Sequence, residues 1–321
     1  MMMPETNVLK DISKTPTKAY FNAHYFCDYI ELLAVLNNTD IISISDVYDR
    51  FLEDDRIKGL GSTEGIESND KWNSRITDWF ILLENRQLEF DNFYPFEVSA
   101  NTICLKEVIN DENNCYLFLL LSSTRKYIND KNSLTTDFEL VSFMSLKQYL
   151  PNFSKIYQFG KSNVSYDRYT GHITEKIDLF AKDLHYKTKY NPYFFAEANT
   201  GDGGLDLVSW VPFESDINQN NIQIYLSQCA TGYDWLNKQD DTHKFPNNYI
   251  DFKGHINYLM FIPYDGRNID STFNEEAQMG TYLLFDRIRL LKTLNDYSFI
   301  RALPSFNSIV EKIIEFEEDI L

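Results

Sequence analysis

Long apolar runs are absent from this sequence of 321 residues. The best candidate, Cys115–Leu121, is followed directly by Ser, Ser, Thr, Arg and Lys. It is far shorter than the roughly 20 apolar residues that a membrane-spanning helix needs. The N-terminal stretch Met1–Lys10 also lacks the basic segment and apolar core that are typical of a secretory signal. We therefore expect a cytoplasmic protein with no membrane partner.

Cysteine and histidine are scarce and scattered. The chain has four cysteines, at positions 27, 104, 115 and 229, and none of them forms a Cys-X-X-Cys pair. Its five histidines form no His-X-His or His-X-X-X-His cluster. Structural zinc sites use such closely spaced ligands. The sequence therefore predicts no structural zinc site, and it predicts that the cysteines are reduced.

Basic residues are outnumbered by acidic ones. Lys and Arg total 30 against 48 Asp and Glu, which gives a formal net charge of −18. Phosphate contacts supply most of the non-specific affinity of proteins for nucleic acid. The surface as a whole is therefore not expected to bind DNA tightly without help. A local basic groove, a divalent metal or a partner subunit would supply the missing positive charge.

The first half of the chain carries the pattern of a helical domain. Apolar residues at helical spacing, with turn residues between them, predict several elements. These are helices over Lys18–Leu36, from Ser45, and over Asp70–Glu84, Cys115–Tyr127 and Thr135–Leu150, a loop over Ile57–Asn69, and a strand-turn-strand over Pro95–Lys106. Composition becomes polar and glycine-containing around 157–171, so we predict a boundary there. Residues 1–158 would form a domain that recognises a partner, and 159–321 a second domain.

The second half mixes strands with helices. Two short β-rich runs, Leu205–Val211 and Ile222–Cys229, flank the polar loop Pro212–Asn221 and predict a β-hairpin. The other predicted elements are helices over Ile173–Leu184, Ala277–Leu294 and Ile309–Leu321 and a strand over Ile256–Ile262. The whole chain is thus expected to be an α/β (α+β) protein. Its N-terminal part would be mostly helical, and its C-terminal part would have a mixed central sheet flanked by helices.

Polar residues in the predicted hairpin indicate a site. Asp206 lies inside an apolar strand, where a charged side chain is costly to bury without compensation. Gln228 lies near the end of the partner strand, at a position that would bring it beside Asp206. Carboxylate and amide oxygens are the hard ligands that Mg²⁺ prefers. The hairpin therefore predicts a magnesium site.

The residues around this hairpin resemble a known nuclease motif. Gly201-Asp-Gly-Gly-Leu-Asp206, followed by Gln228-Cys-Ala230, is similar to the Mrr-type variant of the PD-(D/E)XK, or restriction-endonuclease-like, superfamily. A longer signature, Gly-Asp-Gly-Gly-Leu-Asp-Leu-Val-X-Trp over 201–210 and Gln-Cys-Ala-Thr-Gly-X-X-Trp over 228–235, is also similar to uncharacterised proteins of bacterial anti-phage loci. The resemblance covers roughly 170–294. It implies a restriction-endonuclease-like core that uses Mg²⁺ or Mn²⁺ to cut phosphodiester bonds, with double-stranded DNA as the expected partner and antiviral defence as the expected setting.

The resemblance also implies roles for individual residues. Asp206 and Gln228 match metal ligands, and the backbone carbonyl of Cys229 would be a further ligand. Glu175, on the preceding helix, matches the helical glutamate that completes the metal shell in this superfamily. Glu197 is a rival for that position.

One departure concerns the lysine of the motif, whose place is taken by Ala230. That lysine activates the attacking water and stabilises the charge that develops on the phosphate. Lys238 is the best substitute for this lysine and would join Glu175, Asp206 and Gln228 as a catalytic residue. Lys182 is the second choice. If neither reaches the site, the chain is a degenerate subunit that binds nucleic acid or a partner protein without cutting.

Other polar residues near the motif have supporting roles or structural explanations. Asp202, Gly203 and Gly204 are expected to shape the turn before the strand, and Thr231 the turn after it. Arg287 and Arg289 are candidate phosphate contacts, although arginines on a helix are more commonly solvated or ion-paired. A nucleotide-binding loop is the weakest alternative, because the segment lacks the Gly-Lys-Ser/Thr of a phosphate loop. A homo-oligomer is compatible with all these hypotheses.

Overall fold

The computed structural model describes nine stretches of the chain: residues 8–16, 23–37, 41–57, 63–159, 168–196, 201–213, 220–270, 272–273 and 279–316, with the backbone alone for 63–68 and 194. The helices are α1 Ala23–Leu36, α2 Ile44–Glu53, α3 Thr63–Phe90, α4 Asp111–Ser123, α5 Lys131–Tyr149, α6 Ile173–Asp183, α7 Arg287–Thr293 and α8 Glu311–Ile314. The strands are β1 Ile42–Ser43, β2 Phe96–Ser99, β3 Thr102–Leu105, β4 Lys155–Gln158, β5 Lys187–Thr188, β6 Leu207–Val211, β7 Gln223–Cys229, β8 Ile250–Asp251, β9 His255–Phe261 and β10 Leu283–Phe285.

The chain divides into two compact units. The helical unit comprises Met1–Thr135, Tyr264–Glu276 and Asp296–Leu321, and the sheet unit comprises Thr136–Pro263 and Ala277–Asn295. This division differs from the predicted boundary after residue 158. Strand β4 lies before that boundary but pairs with β6, with Ile156 opposite Ser209, and this pairing joins it to the sheet unit.

The helical unit is built around α1, in which nearly every side chain is buried. A helix that is apolar on all sides belongs in a core. Charged residues on α1 are compensated by Arg86, whose Nη1 donates hydrogen bonds to Asp28 (2.8 Å) and Glu31 (2.9 Å). The Nε of Arg86 donates to Asp265 at 3.0 Å. This buried ion network ties Asp265 to α1 and α3 within the helical unit.

Several predicted boundaries shift at helix ends. Helix α2 begins one residue earlier than expected, because Ser43 is its N-cap and forms a capping box with Asp46. Helix α3 begins at Thr63, so the loop predicted over Ile57–Asn69 is wrong for its second part. The strand-turn-strand is confirmed as the antiparallel pair β2 and β3.

The largest error concerns the helix predicted over Ala277–Leu294. From residue 279 onward this segment is β10 followed by the short helix α7. The aromatic and apolar run before Asp286 pairs in parallel with β9. Asp286 then caps α7 by accepting a hydrogen bond from the Arg289 amide.

The sheet unit contains a five-stranded mixed sheet in the order β10-β9-β7-β6-β4. Strands β4, β6 and β7 pair antiparallel, whereas β7, β9 and β10 pair in parallel. The predicted hairpin is confirmed, with Leu207 opposite Ser227 and Val211 opposite Gln223. Helices flank this sheet, so the fold class is confirmed. Among the described residues, no helix combines the length and apolarity that crossing a membrane requires.

Strand direction determines which residues meet at the sheet edge. Because β7, β9 and β10 are parallel, their carboxyl ends lie at one edge, and the antiparallel β6 begins there. Asp206 immediately precedes β6, and Gln228 is next to last in β7. Below them, a core packs one sheet face against α6; it includes Ile173, Ile177, Phe180, Val208, Trp210, Ile224 and Leu226.

Candidate functional site

The side chains of Asp206 and Gln228 lie in direct contact at this edge of the sheet. Oδ2 of Asp206 accepts hydrogen bonds from Gln228 Nε2 at 2.7 Å and from the Cys229 amide at 2.6 Å. Backbone bonds fix the position of Asp206, since its amide donates to Ser227 O and its carbonyl accepts from Phe159 N. Asp206 is 4% exposed and Gln228 is 7% exposed. Two polar side chains are therefore held together in a nearly dry environment.

Burial and neighbouring charges perturb the acidity of Asp206. Burial is the largest cause that raises the pKa of Asp206 well above its ordinary value, and the carboxylates of Glu139 and Asp202 raise it further. The Cys229 amide and Lys238 act in the opposite direction. The site thus concentrates negative charge around a buried carboxyl group, which favours occupation by a proton or a cation.

Glu139 is the acidic residue that sequence reasoning missed. It lies on α5, is buried, and raises the pKa of both Asp206 and the Cys229 thiol. A glutamate is rarely buried without a partner. Its position in the apolar run 138–141 is the one sequence signal that would have suggested a special role.

Glu175, the predicted metal ligand on a helix, caps that helix in the structure. Its Oε2 accepts the His172 amide at 2.9 Å and completes a capping box at the start of α6. The carboxylate on a helix that acts on Asp206 is that of Glu139. Glu197, the rival candidate, lies outside the described residues.

The oxygen of the Gln228 amide is available to a ligand. Oε1 of Gln228 is buried and has no hydrogen-bond partner among the residues that the structure describes. A buried polar atom without a partner is costly and needs an explanation. Together with the Asp206 carboxylate, it offers the oxygen donors that Mg²⁺ prefers. Within the described ranges, however, no three His, Cys, Asp or Glu side chains lie close enough to form a metal-binding group by themselves. A metal would therefore depend on amide and backbone oxygens.

The two substitute lysines differ in their relation to Asp206. Lys238 is half-buried on the 3₁₀ helix Trp235–His243 and favours the ionised form of Asp206. Lys182 is exposed in the last turn of α6, beside a groove that Asp178 and His185 also line. Ala230 itself is fully buried, and its amide donates to Phe261 O. Lys238 is thus the better placed of the two.

The predicted phosphate contact of Arg287 is wrong. Arg287 is 0% exposed, and its Nε donates to the carbonyl of Pro263 at 2.9 Å. The guanidinium therefore stabilises the interior of the sheet unit and is not accessible to a phosphate. Arg289 is half-exposed, but its Nη1 donates to Leu284 O at 2.8 Å.

The glycine loop before β6 is tightly constrained. Asp202 accepts the Gly204 amide at 2.7 Å, which forms an Asx turn. Gly203 and Gly204 both have positive φ, at 67° and 93°. Buried Lys176 on α6 donates to the carbonyls of Phe159 (3.2 Å) and Gly201 (3.3 Å). The loop that leads into Asp206 is therefore fixed at both ends, and Thr231 is buried beyond β7.

Comparisons of the chain with protein-family models, with curated proteins and with solved structures found no match.

Proposed function

We propose that the sheet unit is a metal-dependent phosphodiesterase that cuts DNA. The observation that carries the proposal is the contact between Asp206 and Gln228, with Glu139 close enough to raise the pKa of Asp206. A carboxylate, an unpartnered amide oxygen and a second carboxylate on a helix suit a hard divalent cation. The similarity of residues 201–206 and 228–230 to a nuclease motif supports the same conclusion.

The residues present fit Mg²⁺ or Mn²⁺. Asp206, the amide oxygen of Gln228 and the backbone carbonyl of Cys229 would hold the ion, and Glu139 would add charge. A bound ion supplies polarisation of the phosphate and lowers the pKa of a water molecule. Because the Gln228 NH₂ group faces Asp206, the amide must turn over for both side chains to bind one ion.

Proton and charge movements in this site follow from its electrostatics. Asp206 would hold a cation in its deprotonated form, because a carboxyl group must lose its proton to act as a ligand. Lys238 compensates part of the negative charge near Asp206, and it would stabilise the charge that develops on the phosphate. Burial keeps competing water away from Asp206.

The biological setting belongs to the same proposal. We expect the enzyme to act in the bacterial cytoplasm, as one component of an anti-phage restriction system. The helical unit would recognise a partner protein or a target state. The net charge of −18 fits an enzyme that binds DNA only with help from a metal or a partner.

A second candidate function has its own supporting observation. Ala230 is fully buried where the motif lysine is expected, which favours a subunit that binds nucleic acid or a partner without cutting. The two functions differ in one assay. Purified full-length chain is incubated with plasmid or with single-stranded circular DNA, in Mg²⁺ or Mn²⁺, and Asp206→Ala is the control. Metal-dependent cleavage that the substitution abolishes supports the nuclease. Cleavage that survives it overturns the assignment of Asp206, and a lack of cleavage of both the plasmid and the single-stranded DNA with both metals favours the silent subunit.

A further inference from the structure

Three aromatic rings form a cluster near the candidate site: His243, Tyr258 and Tyr282. The ring centroids of His243 and Tyr258 are 4.0 Å apart, and those of Tyr258 and Tyr282 are 5.7 Å apart. His243 and Tyr282 are nearly parallel, with centroids at 5.7 Å and an angle of 21°. All three residues are partly exposed, including 34% of the His243 side chain. We call these residues the aromatic cluster.

The strand register puts this cluster on the same sheet face as the candidate site. Tyr258 pairs with Leu226, and Gln228 pairs with Met260 on the same two strands. Because side chains alternate between faces, Tyr258 and Gln228 project from one face of two neighbouring strands, offset by two residues, or roughly 7 Å, along the strand direction. This is a distance that one nucleotide can span between its phosphate and its base.

The cluster is also joined to the helix that carries Lys238. His243 ends the same 3₁₀ helix, and the Tyr282 hydroxyl contacts its Nε2 at 3.2 Å. That hydroxyl also donates to the carbonyl of Gln239, the residue after Lys238. The proposed catalytic lysine and the rings therefore border the same region of the sheet unit.

Charge does not explain how nucleic acid would be attracted here. The chain has a net charge of −18, and Asp240 and Asp241 lie on the same 3₁₀ helix as His243 of the aromatic cluster. Stacking of bases on aromatic rings supplies affinity that does not depend on charge and tolerates any base. Tyr282 is uncharged at neutral pH, as tyrosine ordinarily is, and burial raises its pKa further, to about 12, so its ring does not repel phosphate.

We propose that the aromatic cluster stacks on an unpaired nucleobase while Asp206 and Gln228 face the neighbouring phosphate. The substrate is therefore nucleic acid that is single-stranded at the point of cleavage. A paired base in a duplex is stacked on its neighbours and cannot offer its face to a protein ring without being flipped out. This inference rests on the proposed function and specifies its substrate class.

A purely structural role for the rings makes a different prediction. The cluster would then serve only to hold the 3₁₀ helix, through the Tyr282 hydroxyl. Tyr282→Phe removes the hydroxyl but keeps the ring, whereas Tyr282→Leu removes both. Stacking predicts that the Phe variant binds like the wild type and that the Leu variant does not. Helix support through the hydroxyl predicts that both variants are impaired alike.

The experiment measures binding of the full-length chain to labelled oligonucleotides of about 12 nucleotides, in Ca²⁺ so that cleavage does not interfere. The probes are single-stranded DNA, the same strand with abasic residues, the annealed duplex, and the RNA strand, which separates the two sources of an unpaired base. We expect single strands to bind more tightly than the duplex and the abasic strand. Tyr282→Leu should weaken single-strand binding roughly 5- to 150-fold, and Tyr282→Phe should leave it unchanged.

Equal affinity for abasic and natural strands, tighter binding of the duplex, or no binding of any probe would overturn the inference. So would an unaltered affinity of the Tyr282→Leu variant that is shown by circular dichroism to be folded. The outcome is separable from that of the plasmid assay. Base-dependent binding without cleavage of either form of DNA supports the stacking of an unpaired base on the aromatic cluster and overturns the nuclease proposal. If the chain cleaves DNA but binds natural and abasic strands equally, the stacking inference is overturned and the nuclease proposal stands.

Discussion

Gln228 donates a hydrogen bond from Nε2 to Oδ2 of Asp206 at 2.7 Å, across the two strands of one hairpin. This contact leaves the amide oxygen of Gln228 buried without a partner among the described residues. It also leaves Asp206 in a site where burial and two other carboxylates raise its pKa. Both features are unfavourable for a folded protein alone, and a bound cation would relieve both.

The first prediction concerns stability without metal. Asp206→Asn should stabilise the metal-free protein at neutral pH, because an amide keeps an acceptor for Gln228 and Cys229 but carries no charge. The pKa of Asp206 is raised above 3.8 in the folded state, so the folded state binds the proton more tightly than the unfolded state. The stabilisation that the protonated Asp206 gives the folded state is complete below about pH 3.8. It is lost as the pH rises through the pKa of Asp206 in the folded state.

The advantage of Asp206→Asn should therefore grow above about pH 4, with a slope of at most about 1.4 kcal/mol per pH unit. Urea unfolding of both proteins from pH 4 to 8, in EDTA, checks it. A constant difference between the variants across this range would contradict the raised pKa.

The second prediction separates two glutamates. Glu139→Gln should weaken Mn²⁺ binding by roughly 10- to 100-fold, because it removes charge close to the Asp206 site. Glu175→Gln is the matched control. Its amide oxygen still caps α6, so metal affinity should change little. Titration calorimetry with Mn²⁺ measures both, and a larger loss for Glu175→Gln would reverse the assignment.

The local pattern of the sequence was enough to predict that Asp206 and Gln228 lie beside each other, because a hairpin fixes which residues are opposite each other. Glu139 could not be found in this way, since it comes from a helix far back in the chain. Glu175 was predicted because it is the glutamate of the helix that precedes the hairpin, and its capping role was hidden because histidine is an unusual N-cap. The helical spacing of Leu284 and Ile288 misled the prediction of one long helix in the same way. Leu284 lies in β10 and Ile288 in α7, with the N-cap Asp286 between the two elements.

The third prediction compares the two substitute lysines. Lys238→Ala should lower the rate of plasmid cleavage roughly 100- to 1000-fold, the usual loss when one group that stabilises transition-state charge is removed. Lys182→Ala should have little effect, because Lys182 is exposed in the last turn of α6 and is not among the groups that shift the pKa of Asp206 most. Single-turnover cleavage at saturating Mg²⁺ provides the comparison. Equal rates for Lys238→Ala and the wild type would remove Lys238 from the mechanism.

The fourth prediction tests the glycine loop. A Cβ on Gly204 would lie 2.8 Å from Asp241 Cβ and 3.1 Å from its backbone oxygen, and φ at this position is positive. Gly204→Ala should therefore reduce the free energy of unfolding by about 1–3 kcal/mol. Gly203→Asn should cost less, because asparagine tolerates positive φ and the nearest atom, in the Ile173 side chain, is 3.3 Å away. Thermal unfolding ranks the two variants, and the reverse order would contradict this account of the loop.

The central claim is that Asp206 and Gln228 hold a divalent cation, and anomalous diffraction from a crystal soaked in Mn²⁺ tests it most directly. The account predicts a manganese peak within coordinating distance of the Asp206 carboxylate and the Gln228 amide oxygen, with the amide turned over. It also predicts that the peak disappears in an Asp206→Ala crystal. A fully soaked crystal with no peak beside Asp206, or with its manganese bound elsewhere in the sheet unit, would contradict the claim.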